Sequence, residues 1–300
     1  MKNQWQIGEV TITRIMELGD VPFPAEVLFM NYDPDDLAAQ EWMRPHHLDD
    51  DNNPVLSVHT FVVKTPDKTI LVDTCTGNDK PRMGELFNQL QTNYLEAIAQ
   101  AGAARENVDL VLCTHLHLDH VGWNTHLVDG EWVPTFPNAT YLFGRKEWAH
   151  WEANKDIEVE EGATGEASPI VNASAVIHDS VIPVVEAGLH QLVETDHQVC
   201  PEVRLEATPG HTPGHVSVHI ESDGEHAIIS GDMLHSPYQM ARPDVGVSFD
   251  SDGPEAARTR RWFFDKYADQ PILFLGTHFA TPTGGRLVSH EGSWRFEPQS

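Results

Sequence analysis

A dense group of metal-binding residue types lies near the middle of the chain, in the segment THLHLDH at residues 114–120. Imidazole and carboxylate groups are the ligands that zinc and its first-row neighbours prefer. Side chains two residues apart on an extended segment point the same way, so His115 and His117 can share an ion. The turn that follows can direct Asp119 and His120 towards a second ion. Because burying so many polar groups without partners is costly, the segment predicts a metal centre.

Three more candidate ligands, His211, Asp232 and His278, lie far from this segment in the sequence. Each comes just past the end of a run that predicts a strand. Ligand groups in α/β proteins tend to converge at the ends of strands. A single histidine or aspartate at such a place is usually structural. Together with residues 114–120, however, the three predict remote ligands of the same centre.

Four short motifs follow one another along nearly the whole chain: HxHxDH at 115–120, PGH at 209–211, GD at 231–232 and GTH at 276–278. In their order and residue types they resemble the motifs of the metallo-β-lactamase-fold hydrolases. The resemblance implies an α/β fold, a four-layer αββα sandwich with a dinuclear metal site between its sheets. It also implies two ligand sets bridged by Asp232. These sets are His115, His117 and His211 for one ion, and Asp119, His120 and His278 for the other.

Two ions bridged by Asp232 can share a water, whose pKa falls towards about 7 on metal binding. The hydroxide so formed can attack a carbonyl or phosphoryl centre while an ion polarises the oxygen under attack. We expect two Zn²⁺, although Mn, Fe or Co would suit the same nitrogen and oxygen ligands. The sequence contains no GxSxG motif, so a serine nucleophile of that kind is not expected.

The stretches 231–239 and 120–124 resemble the branch that contains acyl-homoserine-lactone lactonases, pyridoxolactonases and methyl-parathion-hydrolase-type enzymes. This implies a zinc-dependent hydrolase that opens a lactone or cleaves a carboxylic ester, with side activity on phosphotriesters. The alternative hypothesis is that phosphotriester hydrolysis is the main activity. A third hypothesis is a non-catalytic metal-binding protein on the same scaffold. Homoserine-lactone lactonases often carry Tyr where this chain has His235. We therefore expect His235 to contact the substrate and, with Asp119 and Asp232, to be catalytic.

Apolar residues near the motifs are candidates for the substrate pocket. Phe23 and Phe29 lie on a long aperiodic stretch, residues 19–54, and Trp123 follows the ligand cluster. We expect the three to line or cover the pocket, with core packing as the rival interpretation. A stretch of that length inside a domain is usually a lid or a subunit contact, so a homodimer is a further expectation.

Apolar runs rich in Val, Ile and Thr predict the strands that must carry the ligands. They lie at residues 10–15, 58–63, 70–72, 109–113, 141–143, 203–207, 216–220, 227–229 and 272–275. Helical spacing of apolar residues, or a proline suited to a first turn, predicts helices at 85–100, 145–154, 168–185 and 254–267. Both halves thus combine strands with flanking helices, and we expect residues 1–300 to form one domain.

The composition limits the partners. The 300 residues include 19 Lys and Arg against 46 Asp and Glu, a net charge of −27. Such a surface argues against nucleic acid and anionic membranes, which need clustered basic residues, and favours a small-molecule substrate. No apolar leader is evident, so a cytoplasmic location is expected. Of the other histidines, His215 is expected to support the site, whereas His47, His219 and His226 are expected to be exposed.

Overall fold

Two seven-stranded sheets dominate the structure, a computed structural model that describes residues 3–157, 163–168 and 171–299. The strands, in chain order, are β1 (Gln4–Ile7), β2 (Val10–Pro22), β3 (Phe29–Met30), β4 (Val55–Lys64), β5 (Thr69–Val72), β6 (Leu110–Leu112), β7 (Thr125–Val128), β8 (Glu131–Pro134), β9 (Thr140–Gly144), β10 (His190–Val193), β11 (Gln198–Cys200), β12 (Val203–Ala207), β13 (Val216–Ser222), β14 (Glu225–Ile229), β15 (Gly246–Val247), β16 (Ile272–Leu275), β17 (Gly284–His290) and β18 (Ser293–Pro298).

The helices are mostly short. In chain order they are α1 (Ala25–Leu28), α2 (Pro34–Ala38), α3 (Tyr94–Gln100), α4 (Leu118–Val121), α5 (Arg145–Ala153), α6 (Ala173–Val176), α7 (Ile182–Glu186), α8 (Tyr238–Ala241) and α9 (Gly253–Tyr267). A π-helical turn, Ile177–Val181, joins α6 to α7. Among the described residues, no helix is both long and apolar enough to cross a membrane.

Each sheet is built from one continuous part of the chain, residues 4–193 for the first and residues 198–298 for the second. The first has the order β1-β2-β4-β5-β6-β9-β10, and the second has the order β11-β12-β13-β14-β16-β17-β18. Strands β5, β6, β9 and β10 are parallel neighbours, as are β14 and β16. Parallel neighbours place their carboxyl ends at the same edge, so segments that leave β6, β14 and β16 can meet there.

The core has three apolar layers. Residues of both sheets, such as Val63 and Val218, share the layer between them. A second layer covers the outer face of the first sheet with α3, α5, α6 and α7. A third covers the outer face of the second sheet, where Phe263 and Phe264 of α9 are fully buried. The order helix, sheet, sheet, helix confirms the expected αββα sandwich.

Two element predictions need correction. The helix predicted at 85–100 begins only at Tyr94, because Leu86 and Phe87 face a cavity rather than a helix-packing surface. The stretch 19–54 is not aperiodic. It holds the end of β2, then α1, β3 and α2, and it buries Leu28 and Leu37 in a small core of its own. Its role as a lid or subunit contact stays a prediction.

Candidate metal centre

Strand ends bring all seven predicted ligands together. Residues 114–120 leave β6 of the first sheet, and α4 carries Asp119 and His120. From the second sheet, His211 follows β12, Asp232 follows β14 and His278 follows β16. The side chains form three-ligand groups whose donor atoms lie within 4.8 Å of one another. These groups include His115, His117 and His211, then Asp119, His120 and His278, and then His115, His120 and Asp232.

Asp232 lies between the two three-ligand sets. Its Oδ2 is 3.1 Å from His278 Nε2, 3.2 Å from His120 Nε2 and 3.5 Å from His211 Nε2. Ring nitrogens of neighbouring ligands also approach closely: His211 Nε2 is 3.0 Å from His117 Nδ1. Burial favours protonation of Asp232, but the adjacent histidines outweigh it and hold the pKa of this carboxyl well below its usual value. The carboxylate is therefore available to bridge two cations.

Buried polar atoms without partners test whether metal ions fit here. His115 Nε2, His117 Nε2 and Asp232 Oδ1 are all buried and have no hydrogen-bond partner among the described residues. Leaving such atoms unsatisfied costs about 1–3 kcal/mol each, so native proteins rarely do it. Divalent ions bound by imidazole and carboxylate would satisfy all three, and this donor set suits zinc and its neighbours.

The outer ring nitrogens of the ligands are anchored. His120 Nδ1 lies 2.9 Å from Asp73 Oδ2, and His211 Nδ1 lies 3.0 Å from Asp250 Oδ1. His278 Nδ1 lies 3.0 Å from the carbonyl oxygen of Ser57. Such hydrogen bonds fix the tautomer and ring orientation of a metal-binding histidine. Each leaves Nε2 of its ring directed at the centre.

His215 supports the site as expected without joining the three-ligand groups. The backbone N–H of Asp232 donates to His215 Nε2 over 2.7 Å. The residue before Asp232 is Gly231, with φ of +57°, and a Cβ there would lie 2.5 Å from His215 Nε2. Only glycine therefore fits between His215 and Asp232.

Glu147 of α5 is a functional residue that sequence reasoning missed. It is fully buried, and its carboxylate accepts hydrogen bonds from the backbone N–H groups of Leu116 (3.2 Å) and Gly214 (2.9 Å) and from Trp151 Nε1 (2.7 Å). Burial raises the pKa of this carboxyl. Glu147 thus ties the loop of His115 and His117 to the loop of His211. A glutamate on a short amphipathic helix carries no sequence signal of this role.

An apolar cavity of about 70 Å³ opens onto the centre. Asp119, Asp232 and His235 line it together with apolar side chains that include Leu18, Val21, Phe23, Leu56, Phe87 and Phe249. Among the described residues, the lining includes no lysine or arginine.

His235 lies on the cavity wall beside the carboxylate of Asp232. Its Nε2 is 3.0 Å from Asp232 Oδ2, but without the alignment of a hydrogen bond, and both ring nitrogens are buried without a hydrogen-bond partner among the described residues. Its ring stacks on His278, with centroids 5.2 Å apart. Burial lowers the pKa of His235, although Asp232 opposes the shift. The imidazole of His235 therefore faces the cavity next to Asp232.

Two expected pocket residues lie in the core instead. Within the described part of the chain, the cavity lining does not include Phe29 or Trp123. Phe29 packs against Tyr238, with ring centroids 5.4 Å apart. Trp123 stacks on Tyr94, and its Nε1 donates to Glu17 over 2.5 Å. Phe23 does line the cavity.

The expected exposure of three other histidines also needs correction. His47 is buried between Phe279 and Phe296, and burial lowers its pKa to about 3. His219 is fully buried, because α9 covers the outer face of β13. His226 is partly buried beside it. An alternating strand pattern does not reveal whether a helix covers its polar face.

Comparisons with known proteins agree with this geometry. The family model described as the metallo-beta-lactamase superfamily matches residues 53–293. An N-acyl homoserine lactonase from Bacillus thuringiensis is 23% identical over 235 residues, 74% of this chain and 81% of that protein. The probable metallo-hydrolase YybB from Bacillus subtilis (strain 168) is 27% identical over 201 residues, 65% of this chain and 74% of its own.

Solved structures share the fold over almost the whole chain. The hydrolase AbOPH, described as in the beta lactamase superfamily, has a TM-score of 0.80 at 24% identity and covers 99% of this chain and 97% of its own. AidC, a dizinc quorum-quenching lactonase in complex with a homoserine product, has a TM-score of 0.79 at 20% identity with the same coverage.

Proposed function

The chain belongs to the metallo-beta-lactamase superfamily, and on that premise we propose that it is a dinuclear metal-dependent hydrolase that opens a lactone or cleaves a carboxylic ester. The observation that carries the proposal is the convergence of seven ligand-type side chains at the base of an apolar cavity, with Asp232 between the two three-ligand sets and His235 on the cavity wall. The lactonase relatives support the same reaction class.

Two bound divalent ions would supply a water that is nucleophilic at neutral pH and would polarise the carbonyl under attack. We propose Zn²⁺, with Mn, Fe or Co as alternatives that the same ligands accept. His115, His117 and His211 would hold one ion, Asp119, His120 and His278 the other, and Asp232 would contact both. The anchors behind the histidines keep their rings in place, so little reorganisation is needed during the reaction.

His235 is the residue proposed to act on the substrate itself. Its Nε2 lies 3.0 Å from Asp232 Oδ2, and its Nδ1 has no hydrogen-bond partner among the described residues. A neutral imidazole can donate one N–H to the substrate carbonyl, and a protonated one can give a proton to the departing alkoxide. The apolar wall, to which Phe23 contributes, would exclude bulk water around the reacting group.

The cavity favours uncharged substrates. Its described lining contains carboxylates and imidazoles but no basic side chain, and the whole chain carries a net charge of −27. A substrate with negative charge beyond its reacting group, such as a phosphate monoester, would find no basic side chain in this lining to hold that charge. Lactones and esters are neutral, and so are phosphotriesters, which keeps phosphotriester hydrolysis as the alternative.

A substrate panel on protein of known metal content tests the proposal. The panel compares kcat/KM for lactones with varied acyl groups, aryl esters, paraoxon-type phosphotriesters and a phosphate monoester. We expect lactones or esters to give the highest value and the monoester the lowest. A higher kcat/KM for phosphotriesters would make the alternative the main activity. Inactivity of the metal-loaded protein on every substrate would contradict both.

A further inference from the structure

A second group of metal-ligand side chains lies on the outer face of the second sheet, in the hairpin of β13 and β14. His219 and Glu221 are two residues apart on β13 and therefore share a face. The turn residues Asp223 and Gly224 both have positive φ, 51° and 78°, as a two-residue type I′ turn requires. That turn fixes the register and pairs His226 with Glu221 across the hairpin. The sequence HIESDGEH thus folds three donors into one cluster.

The donor atoms of the cluster lie close together. His219 Nδ1 is 2.9 Å from His226 Nε2, and His226 Nε2 is 3.7 Å from Glu221 Oε1. The three donor atoms lie within 4.8 Å of one another, as those of the candidate metal centre do. Ring nitrogens in that centre approach to 3.0 and 3.3 Å, so the close contact of two imidazoles is common to both places.

A carboxylate also stands behind one imidazole of the hairpin. His219 Nε2 lies 2.9 Å from Glu206 Oε2 of β12, which Tyr267 and Lys266 of α9 hold in place. The ring therefore donates from Nε2, and the lone pair of Nδ1 faces His226 and Arg204. A carboxylate behind an imidazole is the arrangement that orients histidines at metal ions, as Asp250 does for His211.

We propose that His219, Glu221 and His226 form a third metal site, separate from the dinuclear centre, for a divalent transition ion such as Zn²⁺. Two imidazoles and a carboxylate would leave the fourth position of a tetrahedral ion to water. An ion there would link β13 to β14 and so stabilise the hairpin. The site is open to solvent, because the side chains of His226 and Glu221 are 20% and 52% exposed.

Arg204 is the residue that opposes this ion. Its Nη2 lies 3.1 Å from His219 Nδ1 and 3.0 Å from Glu221 Oε1, so the guanidinium competes for two of the three donors. Its side chain is 35% exposed and can turn outwards. Removing its charge should therefore tighten the third site about tenfold.

The test counts ions on the full chain after its dinuclear centre has been loaded. Wild type, His226→Ala, Arg204→Gln and the surface control His290→Ala are dialysed against buffered zinc and analysed for metal. We expect three ions per chain in wild type and in the control, and two in His226→Ala. Arg204→Gln should bind its third ion at about tenfold lower free zinc. Hydrolysis at the dinuclear centre should be equal in all four.

Thermal unfolding with added zinc gives an independent readout. Binding of the third ion should raise the melting temperature of wild type and of His290→Ala, and this rise should be missing from His226→Ala. The same stoichiometry in wild type and His226→Ala would overturn the proposal. A third ion found in Arg204→Gln alone would overturn it for the natural chain.

Discussion

The candidate ligands of the metal centre and the side chains of the cavity wall above it differ in how firmly hydrogen bonds hold them. On the ligand side, His120, His211 and His278 each have the outer ring nitrogen anchored by a buried acceptor. On the wall, the ring nitrogens of His235 have no hydrogen-bond partner among the described residues, and Phe23 is only half-buried. The ligands are therefore held for one geometry, whereas the wall can adjust to what enters.

Among substitutions on the ligand side, Asp232→Asn is expected to have the largest effect on activity. The substitution keeps the shape but removes the charge that contacts both ligand sets. We expect one ion to be lost and kcat/KM to fall by about 10⁴-fold or more, because the water is no longer activated. Stability should change far less than activity. Metal analysis and kinetics on the same sample measure both, and near-normal kcat with two ions bound would remove Asp232 from its bridging role.

His235→Ala tests the wall. We expect kcat to fall by about 10²-fold for substrates with poor alkoxide leaving groups, and less for aryl esters, which need little protonation. Both ions should stay bound, because the ligand anchors are untouched. The measurement is kcat across a leaving-group series for both proteins. Parallel dependences on leaving-group pKa would assign His235 to packing alone.

Glu147→Gln tests whether the ligand side is held from a distance. Both oxygens of the carboxylate now accept hydrogen bonds from backbone N–H groups. The glutamine would place an NH₂ group opposite one of these donors, so that hydrogen bond would be lost and one ligand loop should loosen. We expect metal affinity to fall about 10–100-fold, with KM for the loaded enzyme nearly unchanged. Competition with a zinc chelator measures the affinity. Glu152→Gln, on the same helix but exposed, is the matched control.

The smallest effect on catalysis is expected from a pair of phenylalanines. Phe23→Ala should raise KM a few-fold with little change in stability, since the ring is half-buried and lines the cavity. Phe29→Ala should leave KM unchanged but lower the free energy of unfolding by about 3–5 kcal/mol, because the ring is buried against Tyr238. Denaturation measures the free energy of unfolding of both variants, and steady-state kinetics measures their KM. A raised KM for Phe29→Ala and a loss of stability for Phe23→Ala would place Phe29 at the cavity wall and Phe23 in the core.

The convergence of the seven candidate ligands could be predicted because their signal is local. Residues 114–120 put four donors after a buried run, and His211, Asp232 and His278 each follow a strand that the sequence marks clearly. The strands themselves were predictable because apolar β-branched runs have few alternatives in a sandwich of this kind.

The supporting residues could not be predicted, because their roles depend on contacts between distant segments. Glu147 matters only because two ligand loops fold over it, and His219 is buried only because α9 covers β13. Leu86 contributed to the helical pattern at 85–100, although its side chain lines the cavity instead. Local periodicity identifies an apolar face but not what that face contacts.

The ligands come from both halves of the chain, four from the loop after β6 in the first sheet and three from loops of the second. Only the folded chain assembles them, so ions at 100 times their Kd would add about 2.7 kcal/mol to the free energy of unfolding for each site. The supply of metal in the surroundings then sets how often the two sheets separate. A protease acting on the separated state would remove metal-free molecules first, so metal starvation would lower the amount of protein as well as its activity.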